Sequence, residues 1–503
     1  MKINNVFLNN KNNKLNDNKT FFKGGAMSPL SKALYTLSNN DMLNASFIDV
    51  FAMDTPRTIV EFNNRGKNAG IEMGFREYTG TFIAEFSASV FALLFSKMFA
   101  KKNSKINPNS WATNETIDTL TSIYEKSSKE PKKYVENVLN STSGLVGKNW
   151  VKFKNDKNNN VVDNLVKLIT DKTLDKKQQK EILSKTQDEI VSILKADNNI
   201  LVKNNDKEFS ANLTHTLRDV VDMGKNVFFN EKVDYKTSVS KLKTLNKSRV
   251  AFAIPLSMGL AITNQYINRK LTKKRTGIDN FVGENDYQNN VNSKNESKKE
   301  RGLLPKKMLS AGVFLAMLKS VMGVKKPIDL VKKLSFDGPV TGGNAIKTIY
   351  GTLILGRIFA SKDSTELRET TVRDYLGFLS WLVLGGFVSK GVAQGFDPKQ
   401  NTLFNVKNAN QKGVAHWLKD ISLKSQKEII ASGGDVKNNL KKLNIAQLSG
   451  MAYSAVMLGI LLPKLNIWMT KNKKPKQDVQ NNYKNNYTLA FSMNEFIKKT
   501  KNA

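Results

Sequence analysis

Apolar residues gather into six stretches that run nearly free of charge: residues 81–100, 250–267, 308–324, 342–360, 375–393 and 447–469. About 20 apolar residues in a helix span the hydrocarbon core of a bilayer. Basic clusters border most of the stretches, at Lys101 and Lys102, from Arg269 to Arg275, at Lys306 and Lys307, at Lys325 and Lys326, and from Lys471 to Lys474. Such flanks are the interfacial signature of membrane helices. The pattern predicts an all-α fold, a multi-helix membrane bundle of about six apolar helices.

Charges inside the stretches oppose that reading and favour a soluble helical protein: Glu85, Lys97, Lys319, Lys347, Arg357, Lys390 and Lys464. An ionisable group in mid-bilayer is costly. Most of these lie within about two turns of a stretch end, from where a long side chain can snorkel to the interface. Glu85, Lys319 and Arg357 stand out as candidate intramembrane charges. Small residues at helical spacing (Ala253, Ser257 and Ala261; Gly312, Ala316 and Ser320) suit close helix packing in lipid.

The remaining chain is polar. Residues 1–18 lack the apolar core of a secretory signal and read, within 1–50, as a flexible leader followed by a short helix. Residues 51–100 hold the entry to the first apolar helix. Residues 101–248 carry apolar positions every three or four residues at 116–129, 161–172, 180–194 and 213–229, which predicts an inserted domain of amphipathic helices. The second apolar helix occupies 249–270, a polar linker 271–307, the other four helices 308–470, and a polar tail 471–503.

An internal repeat links two of the apolar stretches. Arg76-Glu77-Tyr78-Thr79-Gly80 precedes the first, and Arg373-Asp374-Tyr375-Leu376-Gly377 leads into the fifth, within a second entry at 359–393. Upstream, residues 51–55 face 359–365, each followed by Arg and Glu: Arg57 and Glu61 in one, Arg368 and Glu369 in the other. Downstream, 250–274 resembles 451–474. The two motifs are expected at helix starts near the interface, the acid against the positive end of the helix dipole and the Tyr in the aromatic belt. A binding site at a pseudo-symmetric interface is the functional alternative.

Composition narrows the chemistry. Without Cys and with two His (His215 and His416), the chain offers no thiolate zinc site, no Fe–S cluster and little for a His-based metal site or triad. Gly144-Leu145-Val146-Gly147-Lys148 lacks the phosphate-loop spacing. Glu61, Glu72, Glu77 and Glu85 lie close in sequence but read as a solvated helix face. No catalytic residue, cofactor site or metal site is expected, and the chain is not read as an enzyme. The net charge of +35 comes from Lys; only 11 of the 79 basic residues are Arg. Lys and Asn share A-rich codons, so A+T-rich coding explains most of the charge, and nucleic acid is the weaker partner.

The resulting expectation is a multi-pass protein of the cytoplasmic membrane of an A+T-rich bacterium, with the lipid bilayer as partner and residues 101–248 available to other proteins. A structural, scaffolding or envelope role without catalysis comes first, a transporter-like pathway between two repeats second, a soluble basic all-α protein binding nucleic acid or a membrane surface third. Six crossings would place both termini on the cytoplasmic face and residues 101–248 opposite.

Overall fold

The computed structural model describes residues 27–102, 106–144, 160–197, 200–204, 207–277, 302–324, 326–380, 384–406 and 413–471. The leader before 27, most of the linker (278–301) and the tail after 471 lie outside the described residues, as does the Gly144–Lys148 stretch beyond Gly144. The fold is all-α apart from three small antiparallel sheets, in which β1 (Thr142–Gly144) pairs with β2 (Ile200–Asn204), β2 with β3 (Lys207–Ala211), β4 (Phe336–Asp337) with β5 (Val340–Thr341), and β6 (Phe404–Val406) with β7 (Ile421–Leu423).

After α1 (Pro29–Ser38), the chain makes one helical run of α2 (Asp41–Phe47), a π-helical segment π1 (Ile48–Asp54) and α3 (Thr55–Arg65). Gly66, at φ +89°, turns the corner. A second run follows: α4 (Lys67–Thr81), π2 (Phe82–Ser87) and α5 (Ala88–Lys102). The inserted domain contains α6 (Asn114–Lys126), α7 (Pro131–Asn140), α8 (Val161–Thr170), α9 (Lys176–Leu194), α10 (Leu213–Met223) and π3 (Gly224–Phe228). Its core is conventionally apolar, with Leu165, Val135, Ile190 and Val220 fully buried, and the Tyr124 ring stacked on Phe228 at 4.6 Å.

The chain returns through α11 (Tyr235–Thr276), 42 residues or about 63 Å at 1.5 Å per residue. Asp234 caps it by accepting from Thr237 N–H. Its first turns belong to the inserted domain through Val239, Leu242 and Leu245, so the apolar helix expected at 249–270 is the middle of a longer one. Next come α12 (Leu303–Met322), α13 (Pro327–Lys333), α14 (Gly343–Ala360), α15 (Ser364–Leu379) and α16 (Gly385–Phe396), with Ser380 and Leu384 π-helical between the last two. After α17 (Val414–Lys419) and α18 (Gln426–Ser432), α19 (Val436–Ser454), π4 (Ala455–Leu461) and α20 (Leu462–Lys471) form the closing run. Helix α14 is buried on nearly every face and forms the axis of the bundle, packed chiefly on α11.

Among the described residues three helices, not six, are long and apolar enough to cross a membrane: Lys67–Lys102, Tyr235–Thr276 and the run from Val436 to Thr470. The other expected helices fall short for identifiable reasons. Lys306, Lys307 and Lys319 interrupt α12. Lys347 and Arg357 interrupt the short α14, and the 375–393 stretch is divided between α15 and α16. Only 39%, 33% and 33% of the three apolar windows is buried, so most of that surface faces outward. Phe82, Leu94 and Met98 on one, Leu256, Leu260 and Tyr266 on the next, and Ile460, Leu465 and Trp468 on the third are exposed.

The runs alternate between two ends of the bundle. At one end Arg65 meets Glu369, Arg269 bonds Ala360 O and Glu366, Lys306 bonds Ser364, and Arg368 bonds Thr470. At the other end lies the inserted domain, fastened to the 397–435 segment. There Asp197 accepts from Tyr35 Oη (2.8 Å), Gln187 (2.9 Å) and Ser425 Oγ (3.2 Å), while its N–H donates to Glu428 (2.8 Å). The described N-terminal helix therefore sits at the domain end and Lys471 at the opposite end. The run α2–π1–α3 adds a traverse of the bundle that its polar sequence conceals.

Candidate functional site

The two Arg–acid–Tyr–x–Gly motifs meet in the centre of the bundle. Neither stands at a helix start: Arg76 and Glu77 occupy the last turns of α4, and Arg373 and Asp374 those of α15. All four are 1–2% exposed, so the expectation of interfacial anchors is overturned. The helices begin earlier than the apolar stretches because Gly66 and the Asp363 cap start them in polar sequence; Asp363 accepts from Thr365 and Glu366 N–H. The tyrosines diverge: Tyr78 is 40% exposed and shares a 2.7 Å hydrogen bond with Thr55, whereas Tyr375 is half-buried against Phe314 of α12 and donates to Ser310 O.

Arg357 joins the motifs. Its Nη2 lies 3.2 Å from Glu77 Oε2 and its Nη1 3.2 Å from Asp374 Oδ1. Around this bridge, Arg373 Nε lies 3.1 Å from Asp374, Arg76 Nη2 3.7 Å from Asp374, and Arg57 Nη1 3.7 Å from Glu77. A second layer, Glu61–Arg65–Glu369, closes the network towards the corner end, with Arg65 Nη2 2.7 Å from Glu369. Isolated buried charges are strongly unfavourable; mutual pairing is what makes this interior possible.

Of the other charges singled out, Glu85 is fully buried on π2, far from any helix end, and cannot snorkel; Lys319 is exposed on α12 and takes no part. Glu61, Glu72, Glu77 and Glu85 are all buried, so the solvated-face reading is corrected. Asp49, Asp54 and Arg57 were not singled out as site residues. One signal pointed to this interior: where Arg is scarce, each Arg is informative. Six of the 11 are buried (Arg57, Arg76, Arg249, Arg269, Arg357, Arg373), whereas the buried Lys among the described residues are Lys390 and Lys427. A planar guanidinium reaches two carboxylates at once and an ammonium does so poorly.

Equivalent contacts recur on both sides of the network. A β-carbon at Gly80 would lie 3.2 Å from Arg357 Nη2, and one at Gly377 would lie 3.1 Å from Arg57 Nη2. Asn268 Nδ2 donates to Glu72 O (3.4 Å), and Asn466 Nδ2 to Glu369 O (3.2 Å). The backbone at Gly356 rests on Ala261 and Ile262 of α11, and Gly459 of π4 rests on Ala52 and Pro56. One offset carries Glu72, Arg76, Glu77, Tyr78 and Gly80 onto Glu369, Arg373, Asp374, Tyr375 and Gly377. A second carries Pro56 and Arg57 onto Gly356 and Arg357, and a third carries Ala261, Asn268 and Thr272 onto Gly459, Asn466 and Thr470. On these offsets Arg57 stands against Arg357, whereas the linear comparison sets it against Arg368.

Among the described residues no group of His, Asp and Glu is arranged to hold a metal ion. Comparison with family models, with curated proteins and with solved structures finds no match to this chain.

Proposed function

We propose that the chain is an integral membrane protein of transporter type, built from two copies of a three-helix unit that enclose a charged interior. The first copy is α2–α3, α4–α5 and α11; the second is α14, α15–α16 and α19–α20. The observation that carries this reading is Arg357, 2% exposed and bridging Glu77 of one unit to Asp374 of its own, within a bundle whose outward surface is apolar. Ionisable groups at membrane depth that turn inward mark a pathway or relay, and sites between structural repeats are where transporters place them. A scaffold needs only charges that reach the interface, and these do not reach it.

The absence of Cys makes the test direct. Single substitutions such as Thr352→Cys on α14 and Ala84→Cys on π2, both buried, are introduced into the full chain in vesicles and exposed to a membrane-impermeant thiol reagent. Modification of both identifies a water-accessible interior. Complete protection, together with normal labelling of an exposed control such as Lys185→Cys, overturns the pathway and leaves the scaffold. Carbonate extraction tests membrane integration independently, and release of the chain into the supernatant would sink it. The same proposal expects topology reporters at residue 290 and at the C-terminus on one face, and reporters at residue 180 and at the N-terminus on the other.

A further inference from the structure

Beside the paired residues lie two carboxyl groups that form no direct ion pair among the described residues. Asp49 on π1 and Glu85 on π2 are each 0% exposed, and none of their four oxygens accepts a hydrogen bond from a well-placed donor. They face one another, and the Ser46 hydroxyl of α2, set against Glu85, donates to Met42 O at 2.7 Å. Two ionised carboxylates in contact, with no donor to share, repel one another; one proton between them turns repulsion into a hydrogen bond.

We propose that Asp49 and Glu85 together bind one proton, and that this proton decides whether Arg57 pairs with Glu77 or with Asp49. Arg57 is the cation acting on both Asp49 and Asp54, and its Nη2 has no acceptor. The other groups facing the pair are Asp54 of π1, Glu77 of α4 and the Tyr350 phenol of α14. With the proton in place, Arg57 reaches Glu77 at 3.7 Å and donates from Nε to Leu458 O of π4 at 2.8 Å, bridging the two units. When the proton leaves to water, both carboxyls become anionic and draw Arg57 towards π1 and away from Leu458. Both carboxyls sit on π-helical segments, which recur at functional sites and can relax to α-geometry by shifting one residue. Proton binding is therefore coupled to the contact between the units.

This deepens the transporter reading by naming the coupling ion, yet the measurement does not depend on transport. Infrared difference spectra of the full chain in vesicles are recorded between neutral and alkaline pH. The expected result is a protonated-carboxyl C=O band at neutral pH that shifts in D2O, disappears on alkalinisation, and is absent from the Asp49→Asn/Glu85→Gln variant. No band in the wild-type chain at neutral pH, or an unchanged band in the double variant, overturns the proposal. So does loss of the band on adding Na+ at constant pH, which would make the occupant a metal cation. The wild-type titration stands even if the variant fails to fold. Thiol protection at positions 84 and 352 with the band present would reject the pathway and keep the proton.

Discussion

The inserted domain and the bundle use the same amino acids in opposite ways. In the domain, Leu165, Ile190 and Val220 lie at the centre and Lys and Asn outside, the arrangement that water dictates. In the bundle, Phe82, Leu256 and Trp468 are outside, and Arg76, Glu77, Arg357 and Asp374 are at the centre. What differs is the source of specificity. The domain is held by volume, so its core tolerates swaps of similar size. The bundle's centre is held by charge geometry, where one missing partner strands a buried ion.

The contrast can be broken first at Arg357. Arg357→Met leaves Glu77 and Asp374 without their bridge and should lower stability by about 3–5 kcal/mol, read as a drop in thermal unfolding temperature in detergent. Arg357→Lys should recover only part of that loss. Next, Leu165→Ala opens a cavity in the domain and should cost about 2–5 kcal/mol. Hydrogen exchange should then rise in α6–α10 while the bundle helices keep their protection; equal loss in both would show that the two regions fold as one unit.

A subtler comparison is pH. Burial pushes Asp219 of α10 up to about 6, overriding the Arg218 guanidinium at 2.9 Å, which acts the other way. A carboxyl raised in the folded state favours folding while it is protonated. Its contribution is complete below about pH 4 and is lost as pH rises through about 6. Asp219→Asn should flatten the domain's pH–stability curve over that range; an unchanged slope would show that Asp219 is ionised throughout. The smallest effects concern the equivalent amides. Asn268→Ala and Asn466→Ala should each cost about 1 kcal/mol and match one another within error, whereas unequal values would argue against equivalent units.

How much was legible follows the same divide. Three of the six apolar stretches mark the helices whose apolar side chains face outward, because such a run is a local property of sequence, whereas the stretch at 342–360 is the buried axis α14. The two Arg–acid–Tyr–x–Gly motifs are visible and do converge, but their burial is not, since a charge is buried only by partners hundreds of residues away, such as Arg357 for Glu77. The correspondence of Arg57 with Arg357, and of Asn268 with Asn466, is hidden because the connection at 103–234 is far longer than that at 397–435, so no single offset aligns the three pieces. The helical run 41–65 escapes hydropathy because Asp49, Asp54, Arg57 and Glu61 spend its polar positions on the interior.

Helix α12 has so far been only one more helix, packed on α14 and α15, with Leu304, Met308, Leu309 and Val313 exposed. Its significance is one of parity. A unit of three traverses ends on the face opposite to where it began, so a second unit joined directly would be built upside down. One additional traverse restores the starting face. In the proposed two-unit arrangement α12 supplies it, so that both units would point the same way and both long connections would fall at one end, where Asp197 N–H donates to Glu428. Two such units joined without that traverse would be inverted relative to one another, with the inserted domain and the 397–435 segment at opposite ends and no such bond to make.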